Sequence, residues 1–188
     1  MDSSGSESAS ASAKIVVAGG FGVGKTTFVG AVSEIDPLVT EAVMTDASAP
    51  HDDLSLAGDK ATTTVAMDFG RISLTSDLVL YLFGTPGQER FWFMWDDLVR
   101  GAIGAVLLAD TRRLDACFAP MDFFEDRGLP YLVALNAFDG ARRFDDADIR
   151  DAMELPDATP LLTCDARRRG SAKAMLVSLV EHALALTP

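Results

Sequence analysis

Residues 19–26, Gly-Gly-Phe-Gly-Val-Gly-Lys-Thr, satisfy the spacing G-x-x-x-x-G-K-[ST]. The chemistry of that spacing is phosphate binding. Glycines let the backbone N–H groups of Gly20, Phe21, Gly22, Val23 and Gly24 turn inward and cradle phosphate oxygens at a helix N-terminus. Lys25 supplies a cation to β- and γ-phosphates, Thr26 offers a hydroxyl to Mg²⁺, and Thr27 continues the first helical turn. The plain alternative is a flexible glycine turn before a helix. The motif follows a β-branched run and opens a helical one, which is the context that the phosphate mechanism requires.

A second segment, Gly-Thr-Pro-Gly-Gln-Glu-Arg-Phe at 84–91, ends an apolar run and leads into an aromatic one. The N–H of Gly87 can point at a γ-phosphate, and Gln88 can orient an attacking water. Lys25 and Gln88 are therefore the candidate catalytic side chains. A Pro-Gly turn with a solvated glutamine is the competing account.

These loops need a scaffold, and the rest of the chain reads as one. Residues 1–13 are serine-rich and low in complexity, a disordered tail, which leaves 14–188 as one domain. Strands are expected at "AKIVVAG", "TTVAMDFGRISL", "LVLYLFG", "GAIGAVLLAD", "LPYLVALN" and "TPLLTC", the second and third forming a hairpin over Thr75-Ser76-Asp77. Helical patterns lie near 25–35, 91–100, 113–127, 146–154 and 170–186. Residues 36–63 lack periodicity and read as a long loop. The alternation predicts a three-layer α/β fold, and the phosphate motif makes it one of the P-loop NTPase type. Its sheet has about six strands, mostly parallel with one antiparallel, and helices cover both faces.

Composition narrows the function. At 188 residues with 48% apolar content the chain can bury a core, and its net charge of −12 argues against binding nucleic acid or an anionic membrane unaided. Cys117 and Cys164 show no CxxC or metal spacing, which fits a reduced cytoplasmic protein. No apolar run approaches 18 residues, and neither end carries a lipidation signal, so a partner would have to bring the protein to a membrane.

The P-loop, "TTVAMDF" at 63–69, "GTPGQE" at 84–89, "NAFD" at 136–139 and "CDAR" at 164–167 together resemble the Ras-like small GTPases over about residues 14–186. The resemblance is closest to the bacterial MglA-like branch and, within it, to the actinobacterial conservon ATP/GTP-binding proteins (CvnD-like). It implies a GTP-binding switch that hydrolyses GTP to GDP slowly. It also implies a roadblock/LC7-domain regulator and a membrane histidine-kinase-like sensor as partners. Thr64 takes the role of the switch threonine that completes the Mg²⁺ shell, with Thr62 and Thr63 as rivals. Asn136 and Asp139 match the ends of the N-K-x-D guanine motif. A carboxylate at Asp139 accepts from the N1–H and exocyclic amine of guanine and repels the N1 lone pair of adenine. Ala166 would offer its N–H to guanine O6, flanked by Asp165 and Arg167.

Three departures stand out. Gly84 occupies the place of the aspartate that supports Mg²⁺ through water, and the strand "LVLYLFG" offers no other acid, so weaker Mg²⁺ retention is expected. Ala137 replaces the lysine that lies along the base. Phe21 crowds the place where an arginine finger would enter; Arg90, Arg112 and Arg113 are candidate cations, each read more readily as a solvated or ion-paired surface residue. In "FWFMW", 91–95, some side chains should be exposed as a partner patch, unless the long loop covers them all. Phe123 and Phe124 read as core. Two rivals stay open: a nucleotide-binding adaptor that scarcely hydrolyses, and a P-loop ATPase or small-molecule kinase.

Overall fold

The computed structural model describes residues 11–36, 38–43, 64–87 and 89–187. Among these residues seven strands form one sheet in the order β2-β3-β4-β1-β5-β6-β7. They are β1 (Ala11–Ala18), β2 (Leu38–Val43), β3 (Thr64–Ser73), β4 (Leu78–Gly84), β5 (Ala102–Ala109), β6 (Tyr131–Asn136) and β7 (Leu161–Cys164). β3 runs antiparallel to both β2 and β4, and the remaining pairs are parallel. The expected α/β fold with a single antiparallel strand is what the chain adopts. β2 is an addition at the sheet edge, within the stretch read as loop. β1 opens at Ala11, paired with Leu78, so three residues assigned to the tail belong to a strand.

The helices are α1 (Lys25–Val32), α2 (Trp95–Val99), α3 (Phe118–Asp126), α4 (Asp146–Ala152) and α5 (Arg169–Leu186). Side chains alternate across a strand, so a parallel strand buried on both faces must be apolar throughout. In β1, Ile15 and Val17 pack with Phe28 and Val29 of α1 and Leu176 of α5. Val16 and Ala18 point to the other face, which is filled by Trp95, Phe124 and Ile149 from α2, α3 and α4. Fully burying each large aliphatic or aromatic side chain contributes about 1.5–3 kcal/mol. Cys164 lies in the first cluster and Cys117 in the second.

The aromatic run 91–95 resolves into a 3-10 segment, Glu89–Met94, leading into α2. Phe91 and Trp95 turn inward, and Phe93 is left about half exposed. Trp95 stacks on Phe124 with ring centroids 6.0 Å apart and meets Phe123 edge-on at 5.2 Å. Among the described residues no helix is long and apolar enough to cross a membrane.

Candidate functional site

The parallel strands β1, β4, β5 and β6, with β7 beside them, deliver their C-terminal ends to one edge of the sheet, where ligands of open α/β folds bind. β1 runs into the glycine loop. Gly24 closes it in the left-handed region (φ 104°), and α1 begins at Lys25 with no side-chain cap on its first N–H groups. An uncapped helix start leaves those donors available to an anion. A Cβ at Gly24 would come 2.7 Å from Asn136 Nδ2, so the close approach of two loops also requires glycine there.

Lys25 is nearly buried, and its ammonium donates to the carbonyls of Gly19 and Gly20, each at 2.8 Å. Burial pulls its pKa down to about 8, against an opposing pull from the Asp68 carboxylate. Gly87 lies directly against this group: a Cβ there would fall 2.8 Å from Nζ and 3.0 Å from Phe21 Cα. The phosphate loop and the second segment are thus in contact.

β4 offers no acid, as expected, but one reaches this side of the loop from β3. Asp68 of β3 accepts from the Thr26 hydroxyl at 2.8 Å. Phe69 pairs with Phe83, which sets Asp68 opposite the end of β4. A Cβ built on Gly84 would lie 3.0 Å from the Asp68 carboxylate, so Asp68 already fills the space that an acid at 84 would use. Thr26 and Asp68 are hard oxygen donors beside the phosphate loop, the chemistry that suits Mg²⁺. The signal was present in "TTVAMDF": Asp68 is the one acid in β3.

Thr64 is not brought to this point. It opens β3, paired with Val43, and four residues of extended chain put its backbone about 13 Å along the strand from Asp68. Thr62, Thr63 and Gln88 lie outside the described residues.

On the far side, Asn136 at the end of β6 is buried and ties three loops together. Its Nδ2 donates to Val23 O at 2.9 Å, and its Oδ1 accepts from the Ala166 N–H at 3.0 Å. The N–H expected to meet guanine O6 is therefore engaged by Asn136 here. Arg167 bridges two carboxylates, reaching Asp139 at 2.8 Å and Asp165 at 2.9 Å. Hydrogen bonds from that guanidinium hold both carboxyls below the usual carboxylate range. Asn136, Asp139, Ala166 and Arg167 line a cavity of about 370 Å³ that Gly22, Gly24 and Thr27 of the loop also border. A larger cavity, about 480 Å³, lies at the opposite end of the strands around Pro130, Tyr131 and His182.

Phe21 is 68% exposed, and its carbonyl accepts from Arg113 Nη2 at 2.6 Å. Arg112 forms a fork on Asp110 at 2.7 Å and lies over the Phe138 ring. Both arginines are partnered, as a surface role would have it, yet both sit at the mouth of the site.

Comparison with known proteins bears on the fold and the family. Over 128 residues the chain is 28% identical to MJ1339, an uncharacterized protein of Methanocaldococcus jannaschii, covering 67% of this chain and 70% of that protein. Its fold is similar to the G domain of the T. maritima FeoB iron transporter, with TM-score 0.64 and 18% identity over 92% of this chain and 99% of that one. The cytosolic domain of the same transporter in a GDP form gives a TM-score of 0.65 and 18% identity, over 93% of this chain and 64% of the domain. At that identity the likeness is one of fold, the fold of a P-loop G domain. Residues 17–186 match the family described as conserved hypothetical ATP binding protein, a span that runs from within β1 to the end of α5, and the chain belongs to that family.

Proposed function

We propose that the protein is a GTP-binding switch of the MglA-like, conservon-associated kind that hydrolyses GTP slowly to GDP. The observation that carries the reading is Asn136, which joins the phosphate loop to the two loops that bear Asp139 and Ala166. Phosphate and base subsites are thereby held in one frame, with a nucleoside-sized cavity between them.

Water attacks the γ-phosphorus, the bond to the β–γ bridging oxygen breaks, and inorganic phosphate leaves with GDP. Catalysis of this step is largely positioning and charge stabilisation. Backbone N–H groups at 20–24 hold the phosphates, Lys25 turns from the Gly19 and Gly20 carbonyls onto the β/γ oxygens, and Gln88 orients the water. Thr26 and Asp68 would hold Mg²⁺, which when bound neutralises charge on the phosphate oxygens. Thr64 serves as the switch threonine once its strand end draws toward the γ-phosphate, and the Gly87 N–H meets the same group. Arg167 lets go of Asp139 in part as guanine takes the carboxylate, and the Ala166 N–H is shared between Asn136 and O6. Phe21 keeps the intrinsic rate low by crowding the γ-phosphate side. A roadblock/LC7-domain regulator and a membrane histidine-kinase-like sensor are the proposed partners of this cytoplasmic switch.

The family description favours a second reading, an ATP-binding protein. Competition separates them. With Trp92 or Trp95 fluorescence reporting binding in Mg²⁺, GDP and GTP should displace each other in the same concentration range. ATP should need at least about a hundredfold more, because the carboxylate repels the adenine ring nitrogen. Comparable ATP affinity would move the assignment to ATP, and absence of phosphate release in single turnover would leave a binding adaptor.

A further inference from the structure

We propose that Arg112 forms a wall of the nucleoside subsite and supplies the cation that Ala137 lacks. The inference rests on the nucleotide reading above and adds a residue to it. Asp110, at the end of β5 and only 4% exposed, accepts from Arg112 Nε at 2.8 Å and Nη2 at 2.7 Å, and from the Arg112 backbone N–H at 2.9 Å. On its other side the guanidinium carbon lies 4.3 Å from the centre of the Phe138 ring. A carboxylate fork and an aromatic face therefore fix the plane of this group before any ligand arrives. Phe138 sits between Ala137 and Asp139 in the chain, and Arg112 and Phe138 line the same cavity as Asn136 and Asp139.

The contrast with Arg167 sharpens the point. Arg167 divides its fork between Asp139 and Asp165, whereas Arg112 is held along one edge by a single carboxylate. A guanidinium held in that way keeps the face turned away from Phe138 for a purine to stack on. The position is reached from β5, not from the base-reading loop. A lysine lost at 137 is thus replaced by an arginine 25 positions earlier in the chain.

The test is calorimetric titration of the full chain, in Mg²⁺, with GDP and with pyrophosphate as the base-free probe. Arg112→Ala should weaken GDP roughly five- to thirtyfold while changing pyrophosphate by less than about twofold. Arg112→Lys should fall between, since it keeps the charge and loses the plane. Unchanged GDP affinity in the alanine variant overturns the proposal, and so does an equal loss for GDP and pyrophosphate, which would mean action through the phosphate loop. Asp110→Asn combined with Arg112→Ala removes the carboxylate left unpaired; it should keep the GDP deficit, and recovery to wild-type affinity overturns the proposal. Wild-type protein that binds GDP no better than pyrophosphate would instead sink the parent nucleotide reading. Should ADP bind better than GDP, the base assignment moves, and the same titration with ADP decides: a matching loss in Arg112→Ala supports the proposal and an unchanged ADP affinity overturns it.

Discussion

Lys25 carries its proton only weakly for a lysine. Its ammonium is held by two carbonyls of its own loop, and burial brings the pKa down to about 8. Bound polyphosphate favours the charged form and raises that value. As pH rises through about 8 the free protein loses the proton and the complex keeps it, so binding then takes up a proton. GDP affinity should be flat from pH 6.5 to 7.5 and fall above 8, by up to about tenfold per unit. Kd measured across pH 6.5–9.5 checks this, with Lys25→Arg as the control that should show no break. A wild-type profile that stays level to pH 9.5 would contradict the assignment. Lys25 was legible in the sequence because motif spacing lies along the chain. Arg112 was readable only as one of three candidate cations, since its neighbours Asp110 and Phe138 come together only when β5 and β6 pair.

At the scale of elements, the β3–β4 hairpin explains a departure that the sequence alone made look like a loss. Strands were readable as apolar runs bounded by turns, and the hairpin closes where expected, with Leu74 N–H on Leu78 O at 2.9 Å. What could not be read was which residue of β3 faces which of β4, because register depends on pairing and not on either strand's composition. That register puts Asp68 where an acid at Gly84 would project. Asp68→Ala should speed Mg²⁺-dependent release of a fluorescent GDP analogue by about tenfold or more, the scale of losing an outer-shell carboxylate. Adding Gly84→Asp to that variant should restore much of the retention, since the alanine clears the space. If the single variant holds Mg²⁺ and nucleotide as the wild type does, Asp68 is not the supporting acid. β2 escaped notice for a related reason: among the described residues "LVTEAV" pairs with β3 alone, and its apolar pattern is short and broken by Glu41.

For the whole molecule, the two-sided core was the most legible feature. Continuous apolar runs in β1, β5 and β6 leave no solvated face, which forces helices onto both sides. The charge of −12 sets a further expectation: the average field repels an anionic nucleotide, and only the local cradle attracts it. Raising salt from about 20 to 200 mM shortens the Debye length from about 20 Å to below 10 Å, which screens the distant carboxylates more than the site. The GDP association rate should therefore rise with salt, by stopped-flow fluorescence. A steep fall would show that the cradle's own field dominates at long range.

The exposed ring of Phe21 puts a patch of carbon on the glycine loop of an otherwise acidic protein. A protein that docks on this side of the loop must dehydrate that ring. Such an encounter would be marked by a negative heat-capacity change and little dependence on salt. An arginine docking through its charge would leave the opposite thermodynamic trace.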